Sequence, residues 1–175
     1  MAFEIARRLG VPLDLLIVRK IGAPGNPEYG LGALVEDGTR LVDAPRVREA
    51  GFALRDLEPT IERELAEIRR RAAAYRGGRP PANLSGRLVL LVDDGVATGA
   101  SVLAAIRAVR AHAPKRVVVA VGVAPPETVE RLEQEADEVV VLLEPRAFFA
   151  VGEWYRRFDQ VSDEEVEDLL ARARE

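Results

Sequence analysis

Residues 87–101, RLVLLVDDGVATGAS, decide the fold. Five apolar residues, 88–92, follow a break at Gly86, and a continuous run of that length reads as a strand buried on both faces. Asp93 and Asp94 come next, then Gly95, Val96, Ala97, Thr98 and Gly99, and a helical pattern opens at Ser101. In parallel α/β sheets, ligands bind beyond the carboxyl ends of the strands. A glycine-bounded loop running into a helix N-terminus offers free amides and a positive dipole end, which suit a phosphate. Two adjacent carboxylates repel that phosphate. They suit neutral hydroxyls, or Mg²⁺ held partly through water. A phosphate with vicinal hydroxyls a few ångströms away satisfies both halves, as in a ribose 5-phosphate.

The rest of the composition narrows the setting. A length of 175 residues points to one domain, 1–175, with a sizeable core. A net charge of −4 weighs against nucleic acid and anionic membrane as partners. With no cysteine, disulfides and thiolate metal sites are excluded, and a reducing cytoplasm is a consistent location. No apolar run approaches the ~20 residues of a membrane span. Glu4 interrupts the apolar stretch that a signal peptide needs. Neither GxGxxG nor GxxxxGK[ST] occurs, which argues against dinucleotide and Walker-type sites.

Residues 2–9 have helical spacing that Gly10 and Pro12 terminate. Residues 13–18 read as a second buried strand, ending at Arg19 and Lys20. The glycine- and proline-rich IGAPGNPEYGLG, residues 21–32, reads as a loop. Residues 31–35 and 41–42 flank a turn and suggest a hairpin. Residues 57–76 form an amphipathic helix with Ile61, Leu65, Ile68, Ala72 and Tyr75 on the apolar stripe. Glu62, Arg63, Glu64, Glu67, Arg69, Arg70 and Arg71 make its solvated face, with Glu67 and Arg71 as an i,i+4 pair. Residues 77–85 are a connector.

From residue 88 onward strands and helices alternate: helix 102–111, strand 115–123, helix 126–136, strand 138–143. This is the pattern of βαβ units and a parallel sheet. Phe148, Phe149, Trp154, Tyr155 and Phe158 then gather five of the nine aromatics within eleven positions. Ser162 and Glu165 make a capping box for a last helix, 163–173. His112 follows the helix after the motif, where a histidine suits the dipole of a helix C-terminus.

Residues 88–101 resemble the phosphoribosyl pyrophosphate (PRPP) motif of the type I phosphoribosyltransferases, and RKIGAPGNPEYGLGA resembles a bacterial branch of that family. The resemblance implies a parallel, Rossmann-like core with helices on both faces and a small hairpin or hood region. It implies that Asp93 and Asp94 face the ribose hydroxyls. Gly95, Val96, Ala97, Thr98 and Gly99 would give amides to the 5-phosphate, and Thr98 and Ser101 would give hydroxyls. Mg²⁺ would be held mainly by PRPP and water. The reaction would be transfer of the phosphoribosyl group to a nucleobase or related acceptor with release of pyrophosphate.

Lys20, with Arg19 beside it, is a candidate for the pyrophosphate or the acceptor; the bland reading is a surface lysine. Phe148 and Phe149, first after the last strand, are the candidates for the acceptor pocket, with Trp154 and Tyr155 as packing. Members for 6-oxopurines usually carry an Asp where Ala97 stands, and alanine transfers no proton, so hypoxanthine and guanine are disfavoured. Members also carry an earlier strand and an Arg-Gly or Lys-Gly pyrophosphate loop, for which this sequence shows no counterpart before residue 2. The expectation is an upstream segment supplying both. A regulator that senses PRPP or a nucleotide without turning it over is the alternative. A homodimer is compatible with either.

Overall fold

The computed structural model describes residues 1–173. Two three-stranded sheets share one helix. The first sheet is antiparallel in the order β1-β2-β3: β1 is Val18–Ala23, β2 Asn26–Val35 and β3 Arg40–Val42. The second is parallel in the order β4-β5-β6: β4 is Leu88–Gly95, β5 Arg116–Val123 and β6 Glu138–Leu143. The helices are α1 Ala2–Leu9, α2 Ala44–Glu49, α3 Glu58–Arg76, α4 Ala100–Ala111, α5 Pro126–Glu133 and α6 Asp163–Arg172. The α/β class and the parallel sheet are therefore as expected.

The supposed loop 21–32 is instead the β1–β2 hairpin. Ala23 pairs with Asn26 across Pro24 and Gly25, and Gly25 takes φ 76°, which glycine reaches without strain. Gly22 and Gly32 serve close approach of backbones rather than chain breaking. A Cβ on Gly22 would lie 2.5 Å from the Pro27 carbonyl oxygen. The strand expected at 13–18 forms only from Val18 onward, and residues 11–17 are irregular. Alternation survives there: Leu15 and Ile17 pack into the core under the first sheet, while Leu16 packs toward the second. Among the described residues no strand pairs with this segment to complete a ladder. Among the described residues β4 likewise pairs with β5 alone and stands at the end of the order β4-β5-β6.

Arg76, at the end of α3, holds the irregular segment in place. Its guanidinium, only 5% exposed, donates to both Glu36 carboxylate oxygens at 2.6 and 2.7 Å and to the Leu15 carbonyl at 2.6 Å. α3 follows the expected period, and Arg71 donates to Glu67 at 2.7 Å. Glu64 departs from the solvated face: it is 8% exposed and takes hydrogen bonds from Arg19 and Arg63. The six-residue α2 is unforeseen; the Asp43 side chain caps it by accepting from the Arg46 amide.

α4 joins the two halves. Val102, Leu103, Ile106 and Val109 enter the core of the parallel sheet with Val117, Val119 and Val121. Ala104 and Ala108, small enough for close approach, meet Ala33 and Val35 of β2. The helix that starts at the glycine loop is thus buried on two sides. α6 packs against α3, with the Tyr75 hydroxyl donating to Asp163 at 2.6 Å, and Ser162 caps α6 as expected.

Candidate functional site

Parallel register brings the loop to the carboxyl end of the sheet. β4 runs past 92 and includes the acids: Asp93 pairs with Val121 and Gly95 with Val123. The Val96 amide then donates to the Val123 carbonyl at 2.9 Å, and the Val96 side chain is buried in the core. Val96 therefore closes the sheet and its amide is taken, against its expected role as a phosphate donor. Ala97 and Thr98 are exposed, and Gly99 is buried at φ 80° as the N-cap of α4. Among the described residues no side chain caps α4, which leaves its first-turn amides for a ligand. Ser101 is exposed on that first turn.

Two residues of α5 orient the loop. Thr128, 3% exposed, donates its hydroxyl to the Ala97 carbonyl at 2.6 Å. Arg131 donates to the Thr98 carbonyl at 3.0 Å. With both carbonyls drawn toward α5, the intervening amides are left to the other side. Neither residue was marked by a motif, although the N-terminus of a helix following β5 necessarily borders a loop following β4 in a parallel sheet.

Asp93 and Asp94 are both partly buried. Burial, and then the charge of Asp94, push the Asp93 carboxyl up to about 6; hydrogen bonds from the Asp94 and Gly95 amides act against this. The Asp94 amide bond to the Asp93 carboxylate measures 2.8 Å. Such a pair holds hydroxyls well and tolerates a positive charge forming nearby.

Residues 144–158 fold back onto these strand ends. Gly95 lies under Val151, where an added Cβ would come within 2.5 Å of a Val151 methyl. The Tyr155 hydroxyl donates to the Asp94 carbonyl. Phe149 is 85% exposed and Phe148 is half-buried; further along the same segment, Val151 packs at Gly95 and Tyr155 meets the Asp94 main chain. Lys20 lies elsewhere, on β1 of the other sheet. It lines a cleft of about 270 Å³ with Arg19, Arg63, Glu64, Val18, Gly22 and Pro27, and none of residues 93–101 lines that cleft. His112 sits at the C-terminus of α4, 3.7 Å from Asp37. Among the described residues no helix is long and apolar enough to cross a membrane.

Comparison with known proteins places the chain in a family. Residues 1–155 match the family model described as the phosphoribosyl transferase domain. Two curated proteins from strains of Mycobacterium tuberculosis, each described as a "putative phosphoribosyl transferase", are 45% identical over 173 residues. These cover 99% of this chain, which spans only 39% of the relatives' length. The crystal structure of TT1426 from Thermus thermophilus superposes with a TM-score of 0.78 at 50% identity, covering 97% of this chain and 80% of that one. With the acid pair, the glycine loop and the uncapped helix in one place, and the family model spanning most of the sequence, the chain belongs to the phosphoribosyltransferase family.

Proposed function

We propose that the chain transfers a 5-phosphoribosyl group from Mg-PRPP to a nucleobase or related acceptor and releases pyrophosphate. The observation that carries this reading is the pinning of the Ala97 and Thr98 carbonyls by Thr128 and Arg131, beside Asp93 and Asp94, at an uncapped helix N-terminus. The amides of residues 97–101 and the Thr98 and Ser101 hydroxyls hold the 5-phosphate. Asp93 and Asp94 accept hydrogen bonds from the ribose 2- and 3-hydroxyls. As the C1–pyrophosphate bond breaks and the acceptor nitrogen bonds to C1, positive charge grows on the ribose. The neighbouring carboxylates stabilise it. The protein thus acts through positioning and field rather than a covalent intermediate.

The described residues bring together no group of three or more potential metal ligands. Asp93 and Asp94 give two carboxylates, which suits Mg²⁺ held through water with substrate oxygens completing its shell. Bound there, Mg²⁺ supplies charge neutralisation for the departing pyrophosphate. The cationic cleft at Lys20 is a second candidate for the pyrophosphate end.

A specific observation favours a second reading, a PRPP or nucleotide sensor without turnover: that cationic cleft and the loop stand on different sheets and share no residue. Calorimetric titration with PRPP and a pyrophosphate-release assay over a panel of bases separate the two. Binding with release supports the transferase. Binding without release over the whole panel supports the sensor. A cytoplasmic setting belongs to the same proposal and accords with the absence of cysteine.

A further inference from the structure

Tyr155 touches the acid pair's strand through its hydroxyl, yet no step of the reading above uses it. The hydroxyl donates to the Asp94 carbonyl at 2.5 Å. Gly122 of β5 makes the room. A Cβ there would collide with the Tyr155 hydroxyl and stand 2.6 Å from the Asp94 carbonyl oxygen. Strand register passes from Asp93↔Val121 to Gly95↔Val123, and the hydroxyl enters at the level between them. The ring is held from behind by Phe158, with centroids 5.4 Å apart, and Phe158 in turn closes on Gly152. Val151 presses on Gly95 from the same segment. Burial and the charges of Asp94 and Asp93 keep the phenol protonated, and therefore a donor, well above neutral pH.

We propose that Tyr155 is a positioning residue for the ribose half of the site: its hydroxyl fixes the Asp94 main chain and so the directions in which both carboxylates meet the ribose hydroxyls, with Gly122 as its socket. Among the described residues β4 pairs with β5 alone, and this hydroxyl, with Val151 against Gly95, restrains its end. A peptide free to tilt swings a side chain attached to it. The 5-phosphate seat lies beyond, on residues 97–101, and is held separately by Thr128 and Arg131. Tyr155 should therefore act on sugar recognition and not on phosphate recognition. This rests on the ribose assignment of the acid pair.

The test uses Tyr155→Phe, which keeps the ring, together with Asp94→Asn and the double variant. Each is titrated with ribose 5-phosphate and with inorganic phosphate, and its fold is checked by circular dichroism. Tyr155→Phe should weaken ribose 5-phosphate about three- to tenfold, the range for one neutral hydrogen bond, and leave inorganic phosphate unchanged. The double variant should bind no worse than Asp94→Asn alone, because both changes act through one group. Equal weakening of both ligands, or additive losses, overturns the positioning role. Parent-like binding by Tyr155→Phe, with Asp94→Asn weakened, overturns it and leaves the proposed function standing. A parent that does not bind ribose 5-phosphate overturns both.

Discussion

The hydroxyl of Thr128 on α5 donates to the carbonyl of Ala97 on the loop after β4, at 2.6 Å. The bond turns one peptide of the loop and thereby aims its amides. Thr128→Val keeps shape and burial but removes the donor. Affinity for ribose 5-phosphate and for inorganic phosphate should fall alike, about three- to tenfold, with about 1 kcal/mol lost in stability. Thr128→Ser should restore both. Titration of the two ligands and thermal unfolding check this; a selective loss of ribose recognition would sink the assignment.

Asp93 gives a pH signature. Its folded value, up from 3.8 to about 6, means that the folded state holds its proton more tightly than the unfolded state. Between those values stability falls as pH rises, and the cost is fully present above about 6, on the order of 2–3 kcal/mol. Asp93→Asn should flatten the pH 4–6 stability profile and raise the unfolding midpoint at pH 7, while weakening ribose 5-phosphate. Unfolding scans from pH 4 to 7 decide it: parallel profiles for parent and variant would remove Asp93 as their source.

Gly99 stands at φ 80°, and an added Cβ would lie 3.2 Å from the Thr128 side chain. Gly99→Val combines strained backbone with displacement of the residue that aims the loop. Ribose 5-phosphate affinity should fall further than in Thr98→Ala, where one hydrogen bond to a charged phosphate is worth about 1.5–3 kcal/mol, or roughly tenfold to a hundredfold. Calorimetry on both variants, with circular dichroism as control, ranks them. Parent-like affinity in folded Gly99→Val would place the phosphate elsewhere.

Arg76 should matter for stability and little for the loop. Removing it leaves the Glu36 carboxylate buried without its partner, which costs about 3–5 kcal/mol. Arg76→Leu should lower the denaturant midpoint sharply, and Arg76→Leu with Glu36→Leu should recover most of the loss. Equilibrium unfolding in urea measures both.

The segment from β4 into α4 was legible because it combines three local signals: a long apolar run, an acid pair and a glycine loop before a helix. The hairpin was not. Its glycines read as chain breakers, whereas Gly22 and Gly32 sit inside strands where backbones approach too closely for a side chain. Glu64 has the spacing of a solvated face, but Arg19, 45 positions away, reaches it from β1. Thr128 and Tyr155 act on carbonyls of the main chain, which no residue type announces. Phe148 and Phe149 follow β6 closely along the chain, but proximity in sequence says nothing of the turn after them, which brings Val151 to Gly95 and the Tyr155 hydroxyl to the Asp94 carbonyl.

The double burial of α4 has a mechanical consequence. A helix shared by two cores cannot be freed from one sheet without exposing the other. The antiparallel and parallel halves should therefore unfold as one cooperative unit rather than in sequence. In hydrogen exchange, the mid-helix amides of α4 should open only with the whole molecule. The helix whose first turn meets the phosphate thus gains its rigidity from side chains as remote as Ala33 and Val35 on β2.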